Sequence, residues 1–211
     1  MNSKEAYELL IEKSRNNFGN WVNHSINVGK AASKIAGNIG LDEEKAKVMG
    51  YMHDIGRCFG QMKDRHIITG YEYMMSLKEK EIAQICISHG IPLKNLETRS
   101  STEWDGTEEE YKKVEKILKE IKHDEYDELI QFCDQIALYN GILLVERRML
   151  DCALRYRFKN MENVYKNWEA FLKIQNKIEK KLGFSVYRLF PEIEEDIYRP
   201  ITEALCYKLE E

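Results

Sequence analysis

Four of the five histidines in this 211-residue chain fall on positions that helical spacing turns toward a core. His24 lies between Trp21 and Val28. His53 follows Ala46 and Met49, His66 precedes Gly70 and Tyr73, and His89 follows Ile82 and Ile85. Two carboxylates join them. Asp134 shares a helix face with Ile130 and Ala137, and Asp54 directly follows His53 where that helix should stop. A lone histidine on an apolar face is more often a hydrogen-bonded core residue than a ligand. The carboxylates need more, because a buried carboxylate requires a cation, a proton or a set of donors. Neutral imidazoles bring no positive charge, whereas a divalent metal would satisfy both carboxylates and all four imidazoles together. The fifth histidine gives the contrast. His123 also precedes an aspartate, but within the charged run IKHDEYDEL, where Asp124 reads as a helix N-cap and the pair as solvated.

The elements that must position these residues are helices, since strand alternation is nearly absent. A first helix is expected over residues 4–15, capped by Ser3, and a second over 20–38, ending at Gly40. Asp42 caps a third, which runs through His53 and stops at Gly56. Others are expected over 65–78, 79–89, 107–122, 125–139, 145–157 and 160–182, the last closing at Gly183. Pro191 and Pro200 suit the first turns of short terminal helices. Residues 91–107 show no period and form the longest irregular segment. One domain is expected, with residues 146–211 as a helical extension packed on residues 1–145.

Composition narrows the class. A 43% hydrophobic, 32% charged chain fits a soluble globular protein. No apolar run approaches the roughly 18 residues that span a bilayer, and the N-terminus is too polar for a signal peptide. A cytoplasmic protein without membrane contact is expected. The five cysteines form no C-x-x-C pair and read as small buried hydrophobes. A net charge of −4 argues against broad nucleic-acid binding, so no nucleic-acid partner is expected. There is no P-loop, dinucleotide-binding turn or H-E-x-x-H helix.

Taken in chain order, the polar set lies in WVNHSINVGKAASKIAGNIGLDEEKA, YMHDIGR, DRHIITGYEYM, ICISHG and LIQFCDQIAL. Over residues 18–140 this pattern resembles the HD superfamily of metal-dependent phosphohydrolases. The resemblance implies an all-α HD-domain helical bundle, with residues 1–145 as the metal-binding core. In the simplest members, residues matching His24, His53, Asp54 and Asp134 bind one divalent metal. His66 and His89 resemble the second site of two-metal members. Asp54 would then bridge, with His24, His53 and Asp134 on one ion and His66 and His89 on the other. Iron or manganese suit such a donor set, and zinc, cobalt, nickel or magnesium would also bind. A dication activates water as a nucleophile and neutralises a phosphoryl oxygen. Catalytic roles would fall to Asp54 and Arg57, and substrate phosphate contacts to Arg57 and Arg65. Many relatives carry lysine after the final aspartate; here it is Gln135, which brings no charge.

The function this implies is hydrolysis of a phosphate ester in a nucleotide or small phosphorylated metabolite, with self-association left open. Two other readings stand beside it. The same six ligands serve di-iron oxygenases of this fold, which consume O₂. A non-catalytic nucleotide or metal sensor is the third, against which the intact ligand set weighs. Segment 91–107 and the C-terminal helices are expected to shape the pocket. Arg155, Tyr156, Arg157 and Lys159 form a basic-aromatic cluster that could meet a phosphorylated ligand, although a plain helix surface is the weightier account.

Overall fold

Capping chemistry sets the helix boundaries in the computed structural model, which describes residues 1–99, 104–158 and 160–200. Helix α1 spans Ser3–Ser14, and its cap is Asn2 rather than the expected Ser3. The Asn2 side chain accepts from the Glu5 backbone N–H, while the Glu5 carboxylate accepts from that of Asn2. Helix α2, Asn20–Ile39, ends at Gly40, whose φ of 80° suits a residue without a Cβ. Helix α3, Glu43–Met52, opens on Asp42 and hands over at His53 to a 3-10 helix at Ile55–Phe59. Then come α4 (His66–Ser76) and α5 (Lys80–Ser88). Helix α6 (Glu108–Glu120) begins on a Thr107–Glu110 capping box, and α7 (Glu125–Ile136) on Asp124. Helices α8 (Val145–Tyr156), α9 (Met161–Leu182, closed by Gly183) and α10 (Ile193–Tyr198) complete the described chain. Lys159, Cys206 and any helix after Pro200 lie outside the described residues.

The all-α expectation holds, with one correction. Helix α7 does not run to residue 139. Instead Ala137–Leu138 (β1) pairs antiparallel with Gly141–Ile142 (β2), and Gly141 turns the chain at a φ of 145°. Segment 91–107 contains only the short 3-10 turn Leu96–Thr98 among its described residues.

Two glycine contacts bring the functional segments together. A Cβ on Gly50 would lie 2.4 Å from Gly29 Cα, so α2 and α3 cross backbone against backbone. A Cβ on Gly56 would lie 2.0 Å from the His66 carbonyl oxygen and 2.6 Å from Gly70 N. The glycine of the HDIG run therefore lets the 3-10 turn lie against α4 and sets the separation of Asp54 from His66.

One apolar cluster joins Val28, Ile35, Phe132 and Ile136 to Met149, Phe171, Ile178 and Phe190, so residues on both sides of position 145 share a core. A second joins α1 through α5 at Leu10, Met52, Met74 and Ile82. A third, with Ile67, Ile87 and Leu118, packs α4 and α5 on α6. The four described cysteines are buried, and burial pushes the Cys58 thiol up to about 11, the property of an inert core residue. No described helix is long and apolar enough to cross a membrane.

Candidate metal centre

Five helices deliver the polar set to one point: His24 from α2, His53 and Asp54 from the end of α3, His66 from the start of α4, His89 from the end of α5, and Asp134 from α7. Each imidazole meets a backbone carbonyl through Nδ1. His53 reaches Gly50 O at 2.7 Å, His66 reaches Lys63 O at 2.5 Å and His89 reaches Cys86 O at 3.0 Å. The fourth carbonyl comes from the β1 strand, where Ala137 O lies 3.0 Å from His24 Nδ1. A carbonyl can only accept, so Nδ1 must donate and Nε2 is left with a lone pair.

Those lone pairs converge. His24 Nε2 and His53 Nε2 are 3.3 Å apart, and His66 Nε2 and His89 Nε2 are 3.4 Å apart. Asp134 Oδ1 stands 2.9 Å from His24 Nε2 and 3.7 Å from His53 Nε2. Asp54 Oδ1 stands 3.0 Å from His66 Nε2 and 3.6 Å from His89 Nε2, with Asp54 Oδ2 3.9 Å from His53 Nε2. Among these six side chains acceptor thus faces acceptor, the one donor nearby being an Arg57 terminal nitrogen 3.4 Å from His66 Nε2. Asp54 Oδ1 is buried and has no hydrogen-bond donor at all. A crowd of buried acceptors is costly unless a cation sits among them, and this donor set of imidazole nitrogen and carboxylate oxygen fits a divalent metal. His24, His53 and Asp134 form one group that could hold an ion, and His53, Asp54 and His89 form another.

The electrostatics agree with that fit. Burial would raise Asp54, but Arg57, His66 and His53 outweigh it and hold the carboxyl well below its ordinary range. Asp134 is likewise held well below, burial being outweighed by its contacts with His24 and His53. Burial, then Arg57, lowers His66, and burial with the neighbouring His53 lowers His89 strongly. For His53 the two aspartates outweigh burial and raise it. The ionised carboxylates and the lowered His66 and His89 are in the state in which such groups ligate metal, while His53 is drawn toward its protonated form by the two aspartates that a cation would otherwise occupy.

Of the other expected site residues, Arg57 joins the cluster and Arg65 does not. Arg57 Nε donates to Asp54 Oδ2 at 2.6 Å and its terminal nitrogen to Met62 O at 3.1 Å, so the guanidinium chiefly holds Asp54 in place. Arg65 gives its guanidinium to Glu110 at 2.8 and 3.0 Å. Gln135 donates to Asp134 Oδ2 at 3.1 Å. The reading of His123 as solvated also needs correction. Asp124 is an exposed cap, but His123 is half-buried and its Nε2 lacks a partner. Among the C-terminal cluster, Arg155 and Tyr156 lie on α8 and Arg157 closes it in the left-handed region. Arg148, a half-buried cation on α8, escaped the sequence reading because it sits in the run VERRM, where charge looks like a solvated helix face.

Four imidazoles and two carboxylates brought together by converging helices define a metal-binding helical bundle. The HD domain model matches residues 21–138, and the chain belongs to the HD domain family. It is similar to ribonuclease Y of Lactobacillus helveticus, 35% identical over 94 residues that make up 43% of this chain and 17% of that protein. Ribonuclease Y of Thermotoga maritima is 38% identical over 89 residues, 40% of this chain and 18% of its own. Ribonuclease Y of Mycoplasma capricolum is 38% identical over 77 residues, with shares of 36% and 15%. The chain therefore spans less than a fifth of the length of these relatives. No solved structure matches. An enzyme of the HD type is supported. The expectation of a small phosphorylated substrate and no nucleic acid is overturned, because these relatives are ribonucleases. A net charge of −4 averages the whole surface and does not describe the mouth of one site.

Proposed function

We propose that this chain hydrolyses phosphodiester bonds in RNA, using two divalent metals held by six side chains. The observation that carries the reading is the buried Asp54 Oδ1, which has no donor and faces the lone pairs of His66 and His89. Asp54 would bridge the pair, with His24, His53 and Asp134 on one side and His66 and His89 on the other. Iron or manganese would suit the imidazole-rich set. When bound, the metals supply activation of water and neutralisation of phosphoryl charge.

The protein's own contribution is orientation. Four Nδ1–carbonyl contacts fix the imidazole planes, so the donor atoms do not have to be ordered at the moment of loading. Arg57 clamps Asp54 Oδ2 and leaves Oδ1 turned to the imidazoles. In the reaction, a P–O bond forms from water, the bond to the leaving ribose oxygen breaks, and that oxygen takes a proton.

The test uses the full chain loaded with manganese or, anaerobically, with iron, and a 5′-labelled RNA oligonucleotide. Cleavage without oxygen is expected, and it should disappear in Asp54→Ala. Oxygen consumption with no cleavage would overturn hydrolysis in favour of oxygenase chemistry. Metal-loaded protein that neither cleaves RNA nor consumes oxygen would overturn both.

A further inference from the structure

Helix α8 lies beyond the segment that the HD model matches, and it carries a cation without a proper partner. The Arg148 side chain is 17% exposed, and its Nε is buried with no acceptor. Its nearest carboxylate oxygen, Asp151 Oδ2, is 3.7 Å away. That oxygen already takes a hydrogen bond from Arg155 Nε at 2.9 Å and is ion-paired with its terminal nitrogen at 2.8 Å. The guanidinium of Arg155 in turn lies 4.8 Å over the ring of Tyr156, a residue 38% exposed. The fully buried Asp151 thus has Arg155 as its closer cation, and Arg148 is left with a long contact and an Nε without an acceptor. A half-buried guanidinium whose Nε has no acceptor is costly unless an anion meets it.

Its location points to which anion. Helix α8 packs on α7, the helix that presents Asp134. The Asp134 carboxylate acts electrostatically on Arg148 and also on Arg57. Arg57 is committed to Asp54, and Gln135 beside Asp134 is uncharged.

We infer that Arg148, positioned by the Asp151–Arg155 pair, binds the substrate phosphate opposite the metal ligands. The inference rests on the phosphodiester reading and adds the residue that grips the phosphate. A planar guanidinium can hold two phosphate oxygens at once, which an ammonium cannot.

The test compares the wild-type chain with Arg148→Gln and Arg148→Lys, all in the metal-loaded full-length protein. Affinity is read with a phosphorothioate-linked RNA oligomer and with inorganic phosphate, alongside KM, kcat, metal content and melting temperature. For Arg148→Gln, oligomer and phosphate affinity should fall about ten- to a hundredfold and KM should rise, at unchanged metal content. Arg148→Lys should recover only part of the loss, and it keeps the charge should the glutamine variant fail to fold. Unchanged affinity for both probes in either folded variant would overturn the inference. Failure of the phosphodiester reading looks different: the wild-type chain would carry metal yet neither bind nor cleave the oligomer. Phosphate affinity would then decide for Arg148 alone, an unchanged value in the variants counting against it.

Discussion

Replacing Asp54 with asparagine separates a metal site from a buried ion pair, because the two accounts predict opposite effects on stability. In metal-free protein the substitution removes a charge partner of Arg57. Breaking a fully buried pair costs about 3–5 kcal/mol. The Arg57 side chain is 29% exposed, so water replaces part of the interaction and about 1–2 kcal/mol is the reasoned loss. Against this, an amide –NH₂ placed near Asp54 Oδ1 would face His66 Nε2 at 3.0 Å, and a new hydrogen bond there contributes about 1 kcal/mol. The metal-free variant should therefore match the wild type to within about 1 kcal/mol. With metal the two diverge. Metal at a hundred times its dissociation constant stabilises the wild type by about 2.7 kcal/mol, roughly 5–11 °C in Tm for a chain of this size. The variant should gain little of that shift. Thermal unfolding by circular dichroism, with chelator and then with manganese, reads both quantities. An equal metal-induced shift in Asp54→Asn would refute the assignment of Asp54 as a ligand. A metal-free variant destabilised by about 4 kcal/mol or more would show instead that Asp54 is chiefly a structural anion for Arg57.

Two further outcomes follow from packing and charge. Gly56→Ala should destabilise by about 3 kcal/mol and lower metal content, since its new methyl would meet backbone at His66 O and Gly70 N rather than a side chain that can swing away. Gly40→Ala is the matched control in urea titrations: nothing lies within 4 Å of its Cβ, so only the left-handed φ is strained, at about 1 kcal/mol. Metal-free protein should lose stability between pH 7.5 and pH 5.5. His66 and His89 have folded pKa values below the ordinary imidazole value, so the unfolded chain binds more protons in that window and stability falls with pH. His53, which is raised, works the other way, contributing stability below the ordinary value and losing it as pH climbs. Two lowered groups against one raised group give a net fall, and a flat urea midpoint across the window would contradict the assigned tautomers.

Much of this was legible in the residues. The polar set declared itself because His24, His53, His66, His89 and Asp134 interrupt apolar stripes, and burial of polar groups is the informative exception to helical patterning. Asp42 and Asp124 were readable as caps because a cap is a local event. What escaped was non-local or too short to leave a period. Two-residue strands at Ala137–Leu138 and Gly141–Ile142 show no alternation, yet they supply the carbonyl that orients His24. The Arg65–Glu110 pair was not foreseeable because its partners stand 45 residues apart in the chain. Arg148 was hidden by the opposite problem, since a charge-rich helix reads as solvated until the tertiary packing is known. His123 was likewise judged by its charged neighbours and turned out half-buried.

The carbonyls that meet His53, His66 and His89 belong to Gly50, Lys63 and Cys86, each three residues earlier in the chain. Two of these, Gly50 and Cys86, lie in the last turns of α3 and α5, where backbone oxygens have no helical partner. The same ring therefore terminates a helix on one edge and offers a lone pair on the other. A carboxylate at position 53 or 89 could match the donor atom but would turn an oxygen toward that carbonyl and repel it. Imidazole is thus demanded here by backbone chemistry as much as by the ion. Fraying of either helix end would release the ring, so ion retention and the local opening of α3 and α5 are a single equilibrium.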